Sequence, residues 1–534
     1  MAVTPGADTR TMAPNALWAE TPKLGRILVR NTLTNLIGQA VLLLLTFFSV
    51  PYTAHRLGTA QYGAMILLLT YIEAFGLLNL GINPTLVKYI AQLLPQHRMK
   101  DIQGYVGTSL ALYAVTGLLI GLLASVLARW VVTRFLNVPL ELQHTVILSF
   151  WIASAAFLLR FVGQVPAAIP VAAQRFDIAN FLNVASEATR IVGVLGVLYL
   201  GHFLVGVMMV TVVASFLFCG ASFIAARRLI PDICLRPGFS RPHFLSLVRF
   251  SKFVVVGNLT NRVVTNADNV LIGYFLPVSS MAFYGVAYAL GQKLWTLAGT
   301  VAGVVFPAAS SLSKSSQTAQ LQSLYLRGSK AVAVAVCFPA LAVCIFSREF
   351  LLHWIGPEFA DQGTLVLRLL AGGFFLNCLG HVPYLMLQST GYPEVAARLA
   401  TIYGVANITM FALLIPRFGI AGAAAGFLAS QILVVPWIVH RANRLFRIRW
   451  SALLANSYRP LLVASGLACL ACLGLRPWAS SMLRLVVAGV VGGVVYTVAT
   501  WTTGLGTAER AECLAVIDQL RFSNYPPRRE GARA

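Results

Sequence analysis

Hydropathy along this chain falls into about fourteen apolar blocks, each near the length a helix needs to cross a lipid bilayer. A hydrocarbon core of about 30 Å takes about 20 mostly apolar residues in helical form. The blocks lie near residues 33–54, 63–86, 104–128, 145–171, 179–200, 203–226, 251–275, 281–308, 330–352, 363–387, 395–416, 420–440, 458–475 and 481–503. The weakest is 179–200, which contains Glu187 and Arg190. Hydrophobic residues make up 58% of the chain and charged ones only 11%, against about a quarter charged in soluble domains. The expected fold class is therefore all-α, a polytopic membrane protein of about fourteen transmembrane helices. Its connections are short, the longest about 25 residues, too short for a catalytic domain outside the bilayer.

The net charge of +23 would suit nucleic acid, but its distribution points elsewhere. When alternate connections are assigned to alternate sides, 28 Lys and Arg fall on one side and 7 on the other. Basic residues concentrate in cytoplasmic loops, so both termini are expected in the cytoplasm and the number of spans is expected to be even. Residues 1–27 contain Pro5, Asp8, Pro14, Glu20 and Pro22 and no uninterrupted apolar signal-peptide core. The eight cysteines are scattered, and Cys469 and Cys472 form a C-x-x-C inside an apolar block without charged or His neighbours. They read as small buried hydrophobes, and no metal site or cofactor is expected.

An internal repeat is visible. Gly163-Gln164-Val165-Pro166 returns as Gly380-His381-Val382-Pro383, Tyr62-Gly63 as Tyr284-Gly285, Gly81 as Gly303, and Thr34-Asn35 as Thr260-Asn261. Gly201 and Gly206 correspond roughly to Gly419 and Gly422. A unit of six spans enters the membrane twice in the same sense, a parallel repeat of the kind transporters use. The expected division is a cytoplasmic arm (1–27), an N-lobe of helices one to six (28–226), a basic linker (227–250) and a C-lobe of helices seven to twelve (251–440). A basic loop (441–457), helices thirteen and fourteen (458–503) and a cytoplasmic tail (504–534) complete it.

Charges at membrane depth are costly and mark cavities or ion pairs. The basic ones are Arg160, Arg190, Arg262, Lys293 and Arg368; the acidic ones are Glu73, Glu187 and Asp268. Glu187 and Arg190, three apart on one helix, are placed to pair. The seventh block carries Asn258, Asn261, Arg262, Thr265, Asn266, Asp268 and Asn269 at three- and four-residue steps, which gathers most of them on one helix face. Such a face fits a water-filled lumen, with a polar seam between helices as the alternative. A net cationic lumen favours an anionic or phosphate-bearing cargo, since arginine grips phosphate oxygens with paired donors. The candidate substrate-binding residues are Arg262, Lys293, Arg160, Arg368, Asn258, Asn261 and Asn266. Asp268, Glu187 and Glu73 are the candidates to carry a coupling proton or sodium ion.

Four segments resemble the polysaccharide-unit flippases of the multidrug/oligosaccharidyl-lipid/polysaccharide flippase superfamily. They are Arg56-Leu57-Gly58-Thr59-Ala60-Gln61-Tyr62-Gly63, Leu80-Gly81-Ile82-Asn83-Pro84, Asp268-Asn269-Val270-Leu271-Ile272-Gly273 and Tyr284-Gly285-Val286-Ala287. The resemblance covers residues 28–440 and extends to the helix count. It implies transport of an undecaprenyl-pyrophosphate-linked oligosaccharide across a bacterial inner membrane by alternating access, without covalent chemistry. It further implies two six-helix lobes around a cationic cavity, lumenal Arg and Lys engaging pyrophosphate or acidic sugars, and a polysaccharide polymerase as a further partner beside the membrane lipids. A peptidoglycan lipid-precursor flippase would share fold and lumen. A multidrug or cation antiporter of the same fold is expected to place an acidic residue in the first helix, and 33–54 has none. A major-facilitator transporter would carry an acidic-basic glycine motif that 88–101 lacks. An enzyme of sugar polymerisation would need a large outer loop or a carboxylate-rich domain, and neither is present.

Overall fold

Apolar residues spaced three and four apart turn nearly every block into a helix in the computed structural model. It describes the backbone of residues 22–75, 82–303, 305–314, 318–507, 509–511 and 514. Side chains are described for these except 22–37, 74, 75, 250–266, 307, 313 and 314. The first half holds α1 (Pro22–Phe75), α2 (Ile82–Leu93), α3 (Met99–Trp130), α4 (Leu140–Ala172), α5 (Phe176–Tyr199) and α6 (Leu204–Leu229). The second holds α7 (Arg241–Phe275), α8 (Ser280–Ala302), α9 (Val305–Lys314), α10 (Thr318–Trp354), α11 (Pro357–Leu379), α12 (His381–Ser389) and α13 (Pro393–Leu445). Two more, α14 (Pro460–Leu475) and α15 (Met482–Ala499), follow a short turn at Trp450–Leu453.

Among the described residues, ten helical stretches are long and apolar enough to cross a membrane, and the weak block 179–200 belongs to one of them, Phe176–Tyr199. Two of the ten, Gly38–Glu73 and Pro393–Leu445, are each broken by a glycine, at Gly58 and Gly419. On α3, Val115, Leu118, Leu119 and Leu122 are exposed along one helical stripe, the pattern of a lipid-facing side. The protein is a multi-pass membrane protein.

Contacts divide the chain into two compact units. The first comprises 1–52, 79–124 and 152–252; the second comprises 53–78, 125–151 and 253–534. This grouping crosses the lobe boundary expected near 226. The turn at Gly58 and the α3–α4 connection, with the helix ends flanking them, group with the second half. Both turns lie on the arginine-poor side of the chain.

Within the first unit, the basic linker is shorter than its sequence suggested. The chain is irregular only from Ile230 to Ser240, and Arg241 already begins α7. Arg241 and Arg249 are good helix formers, and the helix begins ten residues before the apolar block at 251. The irregular stretch is tied to α3: Gln103 Nε2 donates to the Asp232 carbonyl at 2.9 Å, and Gly238 N–H donates to the Gly107 carbonyl at 3.1 Å. The loop expected at 441–457 is likewise cut short, because α13 runs on to Leu445.

The paired glycines of the repeat occupy matching places. Gly201 and Gly419 both have positive φ, 82° and 59°, at the turn between α5 and α6 and at the break in α13. Gly163 on α4 lies against Cys219 and Phe218 of α6, and Gly380 after α11 lies against Val435 of α13. The contact of Gly380 after α11 with α13 therefore repeats that of Gly163 on α4 with α6.

Within the second unit, Gly63 of α1 abuts Val278 and Met281, and Gly285 of α8 abuts Ile66 of α1. The repeated Tyr-Gly pair thus marks a reciprocal crossing of two equivalent helices, with Tyr62 and Tyr284 both buried. Beyond the crossing, the α3–α4 turn is fastened to the α7–α8 turn. Asn137 N–H donates to the Gly273 carbonyl at 3.2 Å, and Val278 N–H donates to the Asn137 carbonyl at 3.1 Å. The Asn137 amide adds a bond to the Tyr274 carbonyl at 3.1 Å, and the Phe135 and Tyr274 rings meet at 4.9 Å.

Helices α14 and α15 pack on α10, where Phe338 stacks on Tyr496 at 5.7 Å and the Tyr496 hydroxyl donates to the Val334 carbonyl at 3.0 Å. The chain after α15 is latched by Lys330, whose ammonium donates to Glu509 Oε2 at 2.6 Å. Burial pushes the Glu509 carboxyl up, but the Lys330 bond, the Gly506 N–H and the charges of Lys330 and Arg327 outweigh it and hold the group below the usual glutamate range. A depressed carboxyl contributes stability above its unfolded pKa and loses it as pH falls through the folded value. The latch is therefore present at neutral pH and released below the ordinary glutamate range. Lys330 is only 8% exposed, so removing its partner leaves a buried charge. That costs about 3–5 kcal/mol in full burial, and about 1–2 kcal/mol here because Glu509 reaches solvent. Glu509→Gln is expected to speed proteolysis of the C-terminal segment at pH 7 and to abolish the further loss of protection that the wild type shows on acidification below the ordinary glutamate range.

Candidate substrate site

The candidate site in the first unit begins with one arginine at membrane depth. Arg160 stands on α4 about 18 Å of helix from its nearer end, inside the apolar block 145–171. Among the described residues no carboxylate lies within salt-bridge distance of it. Its guanidinium stands over the Phe218 ring at 5.2 Å, and it lies within the field of Glu187. It opens into a cavity of about 600 Å³ lined also by Asn83, Gln164, Leu182, Asn183 and Phe218. That size lies within the ordinary range for small-molecule sites. Asn83 Nδ2 donates to Gln164 Oε1 at 3.3 Å, joining the start of α2 to α4 across the wall. The cavity combines one half-buried cation, three side-chain amides and an aromatic face. It can grip an anionic oxygen, hydrogen-bond hydroxyls and stack on a sugar ring.

Asn83 and Gln164 were absent from the expected site residues. The signal was available: Asn83 belongs to the Leu80–Pro84 segment and Gln164 to the repeated Gly-Gln-Val-Pro. In sequence these segments mark only the family resemblance and the repeat.

The other basic candidates have different surroundings. Arg368 is half-buried on α11, and its Nε donates to the Cys344 carbonyl at 3.1 Å and to Ser347 Oγ at 2.8 Å. It fastens α11 to α10. Lys293 is exposed on α8 on a stripe with Gln292, Thr296 and Thr300, without a salt-bridge partner among the described residues. On a helix that the sequence expects to span the membrane, four polar residues on the exposed side suit water better than lipid. Arg262, Asn258, Asn261 and Asn266 fall on α7, but their side chains lie outside the described residues.

Glu187 pairs with Arg190, as their spacing predicted; Arg190 Nε donates to Glu187 Oε2 at 3.1 Å, and a second bond runs from Nη2 to Oε1. Glu73 is exposed near the end of α1. Asp268 is 2% exposed and accepts from the Tyr284 hydroxyl at 2.8 Å and from Asn269 N–H at 2.8 Å. Asn269 Nδ2 donates to Thr70 Oγ1 at 3.2 Å. The described part of the α7 stripe is thus a polar seam between helices rather than a wet face. Short amide and carboxylate groups can satisfy one another across a helix contact, which periodicity alone does not distinguish from a lumen.

A second polar group surrounds this seam. Gln431 Nε2 and Asn407 Nδ2 donate to the Tyr403 hydroxyl at 2.8 and 3.1 Å. Asn377 Nδ2 donates to Gln431 Oε1 at 3.1 Å. Tyr288 and Tyr403 lie within the field of Asp268. No lysine or arginine reaches Asp268 within salt-bridge distance among the described residues.

A family profile described as polysaccharide biosynthesis protein matches residues 53–361 of this chain. The chain belongs to that family. A protein of Shigella flexneri named as an O-antigen transporter is 20% identical over 429 residues, 78% of this chain and 98% of its own length. A Haloferax volcanii protein named as a low-salt glycan biosynthesis flippase is 30% identical over 190 residues, 35% of this chain and 39% of its own. Among solved structures, the lipid II flippase MurJ in an inward closed conformation is similar in fold, with a TM-score of 0.66 and 13% identity over 86% of this chain and 98% of MurJ. An inward-facing MATE family transporter of the MOP superfamily follows at 0.64 and 15% identity, over 79% of this chain and 99% of the transporter. Over its described residues, this member of the polysaccharide biosynthesis family has the helical fold of those two proteins.

Proposed function

We propose that this protein is a flippase that moves an undecaprenyl-pyrophosphate-linked oligosaccharide from the cytoplasmic to the outer leaflet of a bacterial inner membrane, by alternating access. The observation that carries the reading is Arg160, a lone guanidinium at membrane depth facing a cavity with Asn83, Gln164, Asn183 and the Phe218 ring. The names of the sequence relatives support a glycan as cargo. The asymmetry of 28 basic residues against 7 supports cytoplasmic termini. A polymerase that extends the exported unit is the partner such a pathway supplies. The direct test is the leaflet on which lipid-linked oligosaccharide accumulates when the protein is depleted. Accumulation on the inner leaflet is expected. Build-up of a peptidoglycan precursor instead would favour the cell-wall alternative, and no build-up of either would refute the reading.

A cargo moves uphill only if something binds the two conformations with different affinity. Asp268 is the residue best placed to carry a coupling proton or sodium ion, being a buried carboxylate held by a phenol and a backbone amide without a described counter-cation. Glu187 is engaged by Arg190, and Glu73 is exposed. Asp268→Asn is expected to flatten the dependence of export on proton or sodium gradients while the protein still reaches the membrane. An unchanged gradient dependence would remove Asp268 from coupling.

A further inference from the structure

A second cationic cavity lies far along the sequence from Arg160, wholly within the second unit. It has a volume of about 530 Å³ and is lined by Arg398, Ile402, Trp437, Arg441, Arg444 and Leu445, with Val395 and Leu399. All three arginines are exposed. Arg441 stands over the Trp437 ring at 5.9 Å, and none of the three has a carboxylate within salt-bridge distance among the described residues. Glu394, one turn before Arg398, does not pair with it. The two arms of α13 therefore bring three guanidinium groups and an indole to one concavity, on the side of the lysine- and arginine-rich connections.

A bias of basic residues to that side explains their sign but not their convergence on an apolar-floored hollow. Nor does it explain what continues from the hollow toward the membrane. On the first arm of α13, Arg398 is followed on the same face by exposed Ile402, Val405 and Leu413. That strip extends about 22 Å along the helix. On the second arm, exposed Leu433 precedes Trp437 and Arg441 on one face. A cationic rim above an apolar track is complementary to an anionic head above an acyl chain. A soluble anion would have no use for the track, and a soluble protein would leave it bare. Basic pockets between spanning helices are suited to anionic lipid head groups, and guanidinium groups hold phosphate oxygens in pairs.

We infer that this cavity is a binding site for an anionic glycerophospholipid, with its phosphodiester on Arg398, Arg441 and Arg444 and an acyl chain along Ile402 and Val405. The site is separate from the proposed cargo cavity and takes a resident lipid of the surrounding leaflet. The bound lipid braces the two arms of α13 at their arginine-bearing ends, where Pro393 begins the helix and Leu445 ends it.

The test is titration of the purified full chain in neutral detergent with phosphatidylglycerol and with phosphatidylcholine, read by native mass spectrometry. Phosphatidylglycerol is expected to bind at least tenfold more tightly than phosphatidylcholine. The variant R398A/R441A/R444A is expected to lose that preference, whereas Arg227→Gln with Arg228→Gln, at the end of α6, leaves it intact. Should the triple variant fail to accumulate, Arg398→Gln and Arg444→Gln singly are each expected to weaken phosphatidylglycerol binding about threefold. Equal binding of the two lipids, or full phosphatidylglycerol binding by the arginine variants, overturns the assignment. Displacement of phosphatidylglycerol by undecaprenyl pyrophosphate at lower concentration also overturns it, and would make the cavity part of the cargo path.

Discussion

Gly63→Ala is expected to reduce export at least tenfold, whereas Gly285→Ala retains at least half of it. The two glycines are repeat equivalents, yet their surroundings differ in what can yield. A Cβ at Gly63 would stand 2.0 Å from the Val278 carbonyl oxygen, a main-chain atom. A Cβ at Gly285 would meet the Ile66 Cδ1 at 2.7 Å, the far end of a side chain that can rotate. Overpacking costs about 1–3 kcal/mol where neighbours shift; at Gly63 the α7–α8 turn itself must move, carrying the Asn137 hydrogen bonds with it. Export in cells lacking the native gene, normalised to the protein present in the membrane, separates the two variants. Equal tolerance of alanine at both positions would mean that the crossing of α1 with α8 does not have to close.

The second large effect is expected at Arg160. Arg160→Ala is expected to lower export about tenfold to about 150-fold, the loss that follows from removing charge-assisted hydrogen bonds worth about 1.5–3 kcal/mol. Membrane insertion should persist, because among the described residues no carboxylate depends on Arg160 for a salt bridge. Arg160→Lys keeps the charge but loses the planar fork and should fall between wild type and alanine. Glu187→Gln serves as a contrast: it breaks the pair with Arg190 and is expected to affect stability more than cargo affinity. Full export by Arg160→Ala would detach the cavity from transport.

Much of the architecture was legible in the sequence because membrane solvent is so restrictive. Block length gave helices, and the spacing of Glu187 and Arg190 gave their pair, since both are consequences of one local geometry. The Tyr-Gly pairs were legible only as markers of the repeat; that their glycines permit a close helix crossing is visible only in the structure. Arg368 was less legible. Its partners are the Cys344 carbonyl and Ser347 Oγ on another helix, and a backbone acceptor leaves no trace in composition. The polar stripe on α7 leaves lumen and seam open in the sequence for a related reason: a three- and four-residue period says which residues share a face, not what covers it. The segments 53–78 and 125–151 group with the second half, where the first meets Val278 and Gly285 and the second is held by hydrogen bonds around Asn137, and a single asparagine in a turn carries no pattern.

The α3–α4 fastening has a consequence for how such proteins diversify. Its acceptors on residues 273 and 274 and its donor on residue 278 are main-chain groups, so the side-chain demand there is confined to the Phe135–Tyr274 ring contact and the room that Gly273 leaves for Leu136 and Leu67. Most substitutions at residues 274 and 278 leave these main-chain bonds in place, so the joint tolerates sequence change better than a joint built from paired side chains.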